Sequence, residues 1–160
     1  MKKKLRWILA GLVAVFALLQ LANPPRTNPP VVPEHDLLAA NPPPPEITAR
    51  LRAACYDCHS YETRWPWYSH LAPVSWLVAG DVKDGRERLN FSEWPHDRPE
   101  RAAKRLERIS EEVGYRNMPP GKYTLLHPDA RLTAAQRQAL IDWADAEAAR
   151  LKGTNNVVNQ

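Results

Sequence analysis

Nine of the 16 prolines in this 160-residue chain fall between Pro24 and Pro45. Proline fixes φ and removes an amide donor, so neither a helix interior nor a central strand can run through such a stretch. The chain is thereby divided. Residues 23–45 contain Pro24-Pro25, Pro29-Pro30, Pro33 and Pro42 to Pro45. They read as a Pro-rich linker of polyproline II character, rising ~3.1 Å per residue, a semi-rigid stalk. A folded domain is expected over residues 46–152, where Pro is sparse. Residues 153–160 are polar and read as a disordered tail.

Residues 1–22, ahead of the linker, form a separate segment. Lys2, Lys3, Lys4 and Arg6 precede an apolar run, Ile8 to Leu19, that continues through Gln20 to Leu21 and Ala22. The run matches the apolar region of a signal peptide and falls somewhat short of the ~20 residues of a full span. Cations before an all-round apolar helix mark an export segment, with the cations held on the cytoplasmic side. At a cleavage site after Ala22, Gln20 would stand at the −3 position, where Gln is poor. A retained N-terminal membrane anchor is therefore expected over a cleaved signal peptide. The same four cations account for the net charge of +4, since without them 18 basic residues face 18 acidic ones. A neutral domain lacks the basic footprint of a nucleic-acid binder.

The two cysteines of the chain lie in Cys55-Tyr56-Asp57-Cys58-His59. This is the C-x-x-C-H pattern of c-type haem attachment. Two thiols separated by two residues at a helical turn can each add to one haem vinyl group, and the imidazole that follows then sits beneath the iron. The pattern predicts one covalent haem c, with Cys55 and Cys58 as thioethers and His59 as the proximal iron ligand. The alternatives are weaker. A zinc site needs four ligands, and there is no third cysteine. A thiol–disulfide pair is expected near a βαβ pattern, which this sequence lacks.

One histidine leaves a sixth position on the iron. Met118 is the only methionine after the initiator and stands in Asn117-Met118-Pro119-Pro120-Gly121. It has no helical apolar partners, and the prolines stiffen its loop, so it is the favoured distal ligand. His127, which precedes Pro128, is the runner-up. His70 and His96 read as ordinary loop residues.

The domain itself reads as all-α. Ile47, Leu51 and Ala54 share one helical face. A helix opened by Ala72-Pro73 would bury Val74, Leu77, Val78 and Val82. A third, capped by Asp97, would bury Ala102, Leu106, Ile109 and Val113, with Glu100, Lys104, Arg108 and Glu112 on a solvated face. Thr133 to Gln136 forms a capping box for a last helix burying Leu140, Trp143, Ala144 and Leu151. Of the six tryptophans, Trp7 borders the apolar segment. The other five can wrap a porphyrin and exclude water from its edge, or equally form core.

Several blocks together carry a family resemblance: Cys55 to Ser60, Trp65-Pro66-Trp67-Tyr68, Ala72 to Trp76, Asn90 to Trp94, Met118-Pro119-Pro120 and Tyr123 to Pro128. From about Glu46 to Leu151 the chain looks like the bacterial haem-binding domain family with a CxxCH motif. More distantly, the order of CxxCH, Met-Pro and a final helix with Leu140 and Trp143 is similar to class I cytochromes c. In those, the attachment cysteines, proximal His and distal Met match Cys55, Cys58, His59 and Met118. The Trp/Pro-rich segment 65–76 departs from that arrangement. The resemblance implies haem binding more firmly than any reaction. A small cytochrome c-like domain held by residues 1–22 at the outer face of a bacterial inner membrane, in the periplasm, is expected. It would be an electron carrier rather than a catalyst, exchanging electrons with a redox partner protein. The alternatives are a haem-based gas sensor or a haem enzyme with an open sixth position.

Overall fold

The computed structural model describes residues 2–158. Among the described residues the regular elements are helices, with no strand. In chain order they are α1 (Lys2–Leu19), α2 (Leu37–Ala40), α3 (Pro45–Ala54), α4 (Tyr56–His59), α5 (Val74–Arg88), α6 (Pro99–Gly114), α7 (Gly121–Leu126) and α8 (Ala134–Val158), with short 3-10 turns between them. The all-α expectation is met.

The core is built on α6 against α8. Ala102, Leu106, Ile109 and Val113 recur at helical spacing and are buried together, as predicted. Leu140, Ala144 and Ala148 of α8 face them. Alanine at three of these positions lets the helices approach closely, and Leu106 and Leu140 fill the space between. Ile47 and Leu51 of α3 close one side. The capping box forms: the Gln136 amide donates to Thr133 Oγ1 at 3.2 Å, and the Thr133 amide donates to Gln136 Oε1 at 2.9 Å. Asp97 does not cap α6. Arg98 takes the N-cap position without a side-chain bond, and Pro99 at the first turn has no amide to satisfy. Residues 153–158 of the expected tail continue α8, and residues 159 and 160 lie outside the described residues.

The segment expected as a stalk packs on the domain. Its middle, Glu34 to Asn41, is free of proline and supplies α2. Asp36 caps that turn, accepting from the Leu38 amide at 2.9 Å, and also accepts from the Tyr56 hydroxyl at 2.7 Å. Leu37 is fully buried in the core cluster. Further upstream, Asn28 Nδ2 donates to the Thr63 carbonyl at 2.9 Å, and Arg86 of α5 donates to Asn28 Oδ1 at 2.8 Å. A proline count over the whole stretch hides the short proline-free window that reaches the core.

Helix α5 also departs from its predicted face. Its buried residues are Ser75, Val82 and Gly85, whereas Val74, Trp76 and Leu77 are exposed. The side turned inward is lined by small residues because α5 lies directly against the Cys55–His59 turn. Helix α1 and the turn after it, Lys2–Ala22, contain an 18-residue window with a mean hydropathy of 2.0, have no buried residue, and are long and apolar enough to cross a membrane.

Leu37→Ala should lower the stability of the domain by about 2–5 kcal/mol, the range for emptying a core Leu site. Denaturant unfolding of the full chain measures this. A free-standing stalk would show a change near zero.

Candidate functional site

The Cys55–His59 turn begins where α3 ends. The Cys55 carbonyl accepts from the amides of Cys58 at 3.2 Å and His59 at 2.9 Å, so one turn of chain is closed on Cys55. The two residues between the cysteines lock the turn from behind. Tyr56 is buried and bonded to Asp36. Asp57 is buried, accepts from the Arg64 amide at 3.0 Å, and pairs with the Arg64 guanidinium at 3.2 Å. It also accepts from the Tyr123 hydroxyl at 2.8 Å, and burial together with that carboxylate keeps this phenol protonated well above its usual range.

His59 Nδ1 contacts two carbonyl oxygens at the C-terminal end of α5, Gly85 O at 3.0 Å and Leu89 O at 2.9 Å. Both partners can only accept, so Nδ1 carries the ring proton. Burial lowers the imidazole pKa, outweighing the raising effect of these two bonds, and favours the neutral ring. Nε2 is then left with its lone pair, the state a metal ligand requires. The close approach depends on Gly85. A Cβ there would stand 2.5 Å from the Cys58 carbonyl oxygen.

His59 lines two adjoining cavities. The first, of about 180 Å³, is walled by Ala54, Cys55, Leu89, Phe91, Ile109 and Val113, and Met118 completes it. The second, of about 250 Å³, shares Ala54, His59 and Met118 and adds Cys58 and Pro120. Both thiols, the imidazole and the thioether therefore border this pair of cavities, the hollow, whose second member is also lined by Asp81, Asp84, Arg88, Lys122 and Tyr123. The loop carrying Met118 is held firmly. Arg116 takes a left-handed conformation with φ 61° and turns the chain back at the end of α6. The Met118 amide then donates to Glu112 O at 3.1 Å, and Arg137 of α8 donates to Met118 O at 3.0 Å.

The other sequence candidates lie elsewhere. His127 lines a different cavity with Tyr68 and Tyr123. Its Nδ1 donates to Tyr123 O at 3.0 Å and its Nε2 accepts from the Tyr68 hydroxyl at 3.3 Å, so both ring nitrogens are engaged. His70 and His96 are exposed. No tryptophan is among the residues lining the hollow, whose aromatic residues are Phe91 and Tyr123, while Trp94 is core. Arg108 and Glu112, read as part of a solvated face, border the hollow at one edge with Arg88. Helical periodicity identifies the side of α6 they occupy, but not that an open cavity flanks it. A glycine inside the α5 pattern was the one sequence signal of the close contact at Gly85.

Burial pushes the Cys55 thiol up to about 12, with Cys58 adding to the effect. Burial, and then the Asp81 and Asp57 carboxylates, push Cys58 to about 11. Reactive thiol–disulfide cysteines have lowered values; burial moves these two in the opposite direction. Among the described residues no group of three or more His, Cys, Asp or Glu could hold a metal ion directly. A sequence profile for a haem-binding domain matches residues 14–146.

The chain belongs to the haem-binding domain family. It is a haem-binding protein. The match begins inside α1 and includes the proline-rich segment, in keeping with its packing on the core. No match was found among curated proteins or among solved structures. The residues bordering the hollow suit the cofactor: a neutral imidazole with Nε2 free, a thioether, and apolar walls that favour a porphyrin face over water.

Gly85→Ala should separate α5 from the motif turn and weaken the His59 bonds. The expected result is a lower thermal midpoint and a smaller yield of haem-loaded protein than for Gly80→Ala. Gly80 has nothing within 4 Å of an added Cβ, so that substitution should be neutral or slightly stabilising.

Proposed function

We propose that this haem-binding domain is a single-haem c-type cytochrome, anchored by α1 in a bacterial inner membrane and exchanging electrons with a redox partner in the periplasm. The observation that carries the reading is that Cys55 and Cys58 border adjoining cavities that share His59 and Met118. Cys55 and Cys58 would hold the haem as thioethers, and His59 Nε2 and Met118 Sδ would bind the iron. Bound haem supplies an iron that cycles between ferrous and ferric states without bond chemistry on a substrate. The protein's contribution is to fix the ligands and exclude water. The Nδ1 bonds hold the imidazole in one tautomer and orientation. Ala54, Phe91, Ile109 and Val113 supply a dry wall, and burial of the cofactor tunes its potential. Arg88 and Arg108 are exposed at the edge of the hollow, where guanidiniums suit the propionate carboxylates. The carrier reading is favoured over a gas sensor because Met118 is already positioned in the hollow by bonds from two helices.

Covalent attachment is tested by mass. Denatured protein matured in a bacterium that makes c-type cytochromes should keep the haem mass, and release of all haem into acidified organic solvent would contradict the thioethers. For the sixth ligand, the reduced spectrum should be indifferent to carbon monoxide, whereas ready binding would favour the sensor or enzyme.

Met118→Ala should leave the fold standing but open the iron. The ferric spectrum should lose its sulfur-to-iron band, and carbon monoxide should bind. The reduction potential should fall by more than about 60 mV, which for a one-electron couple is a tenfold change in the equilibrium constant. An unchanged spectrum and potential would make Met118 a loop residue only.

A further inference from the structure

From Trp65 to Gly80 the chain carries no Asp, Glu, Lys or Arg, although charged residues make up 25% of the sequence. This segment leaves large apolar side chains in solvent: Trp67 is 74% exposed, Leu77 66%, and Leu71, Val74 and Trp76 about 40%. Leu125 and Leu126 of α7, 72% and 58% exposed, add to them. Several of these side chains are neighbours. Val74, Leu77 and Leu126 border a common cavity with Tyr68. The Trp67 ring packs edge-on against Tyr68, with centroids 5.8 Å apart. Soluble surfaces rarely leave such a patch open without a partner.

The position of the patch indicates the partner. The end of α1 is bonded to it directly. Gln20 accepts from the Ala72 amide at 3.0 Å and donates to the Ala72 carbonyl at 3.3 Å. Trp76 Nε1 donates to Ala22 O at 2.9 Å, and Asn23 Nδ2 donates to His70 O at 3.4 Å. The residue level at which α1 leaves its apolar span is thus the level of Ala72 and Trp76. From these contacts the geometry points to a second membrane contact. The Trp67–Leu77 segment and Leu125–Leu126 rest in the headgroup region of the bilayer that α1 crosses. Tryptophans with one polar edge and an apolar body favour that layer. Segment 65–80 brings no charged side chain of its own into that layer, while Arg64, Asp81 and Lys122 line the cavity beside it. The domain would then lie on the membrane rather than stand away from it on a stalk. This inference rests on the anchor reading proposed above.

The test uses the full haem-loaded chain in vesicles of phosphatidylethanolamine and phosphatidylglycerol that contain a phospholipid with a photoactivatable group near its headgroup. Labelled positions are read by mass spectrometry. Label is expected on α1, on Trp67, Leu71, Trp76 and Leu77, and on Leu125 and Leu126, with Lys104 and Arg101 of α6 unlabelled. The double variant Leu77→Asp and Leu126→Asp touches only exposed side chains. It should keep the label on α1 and reduce it severalfold at Trp67 and Trp76. Label on α1 with none on the 67–77 segment would overturn the surface contact and leave the anchor in place. An unlabelled α1 would overturn the anchor reading, and the surface contact with it.

Discussion

The bonds from His59 Nδ1 to the carbonyls of Gly85 and Leu89 tie the haem motif to the rest of the domain. The last carbonyls of a helix have no partner within it, and they form the negative end of its dipole. Helix α5 presents two carbonyl oxygens from this end to one imidazole N–H. The Gly85 carbonyl also accepts from the Leu89 amide at 2.9 Å, and the bonds to the imidazole orient the ring and leave Nε2 electron-rich. The short distance they need is possible because position 85 is glycine, whose missing Cβ makes room for the Cys58 carbonyl. The inward side of α5 carries small residues for the same reason, which turns its larger apolar side chains outward.

A second set of contacts holds the motif from the opposite side. Arg64, Tyr123 and Asp57 share a buried carboxylate, and Arg86 joins the chain after His59 to the upstream Asn28 through Ser60, Thr63 and Asn28 itself. The proline-rich stretch is thus part of the support of the Cys55–His59 turn. Prolines keep its flanks extended, while the proline-free window Glu34 to Asn41 supplies α2 and carries Leu37 into the core. The extended segment runs from the end of α1 to the core, and the domain stays close to the helix that precedes it.

The hollow combines groups from separated parts of the chain. Cys55, Cys58 and His59 come from one turn, Phe91 from a 3-10 turn, Ile109 and Val113 from α6, and Met118 from the loop behind it. Met118 reaches the hollow because the chain reverses at Arg116 and Arg137 bonds the loop's carbonyl. His127, only nine residues further on, faces another cavity because Tyr68 and Tyr123 occupy both its nitrogens.

Some of this was legible in the sequence because the causes are local. The C-x-x-C-H spacing is local, and the proposed haem attachment rests on it. The α3, α6 and α8 faces follow from helical periodicity, and the Thr133–Gln136 box from the geometry of a helix start. The role of Leu37, the exposed face of α5, the cavity beside Arg108 and the need for Gly85 were decided only in three dimensions. Each depends on which element packs against which, across separations that no window of periodicity spans. Composition records that Leu37 is apolar and position 85 is glycine. Only the packed structure brings Leu37 to the core and Gly85 to the back of the Cys58 turn, because burial and close approach are properties of pairs of segments.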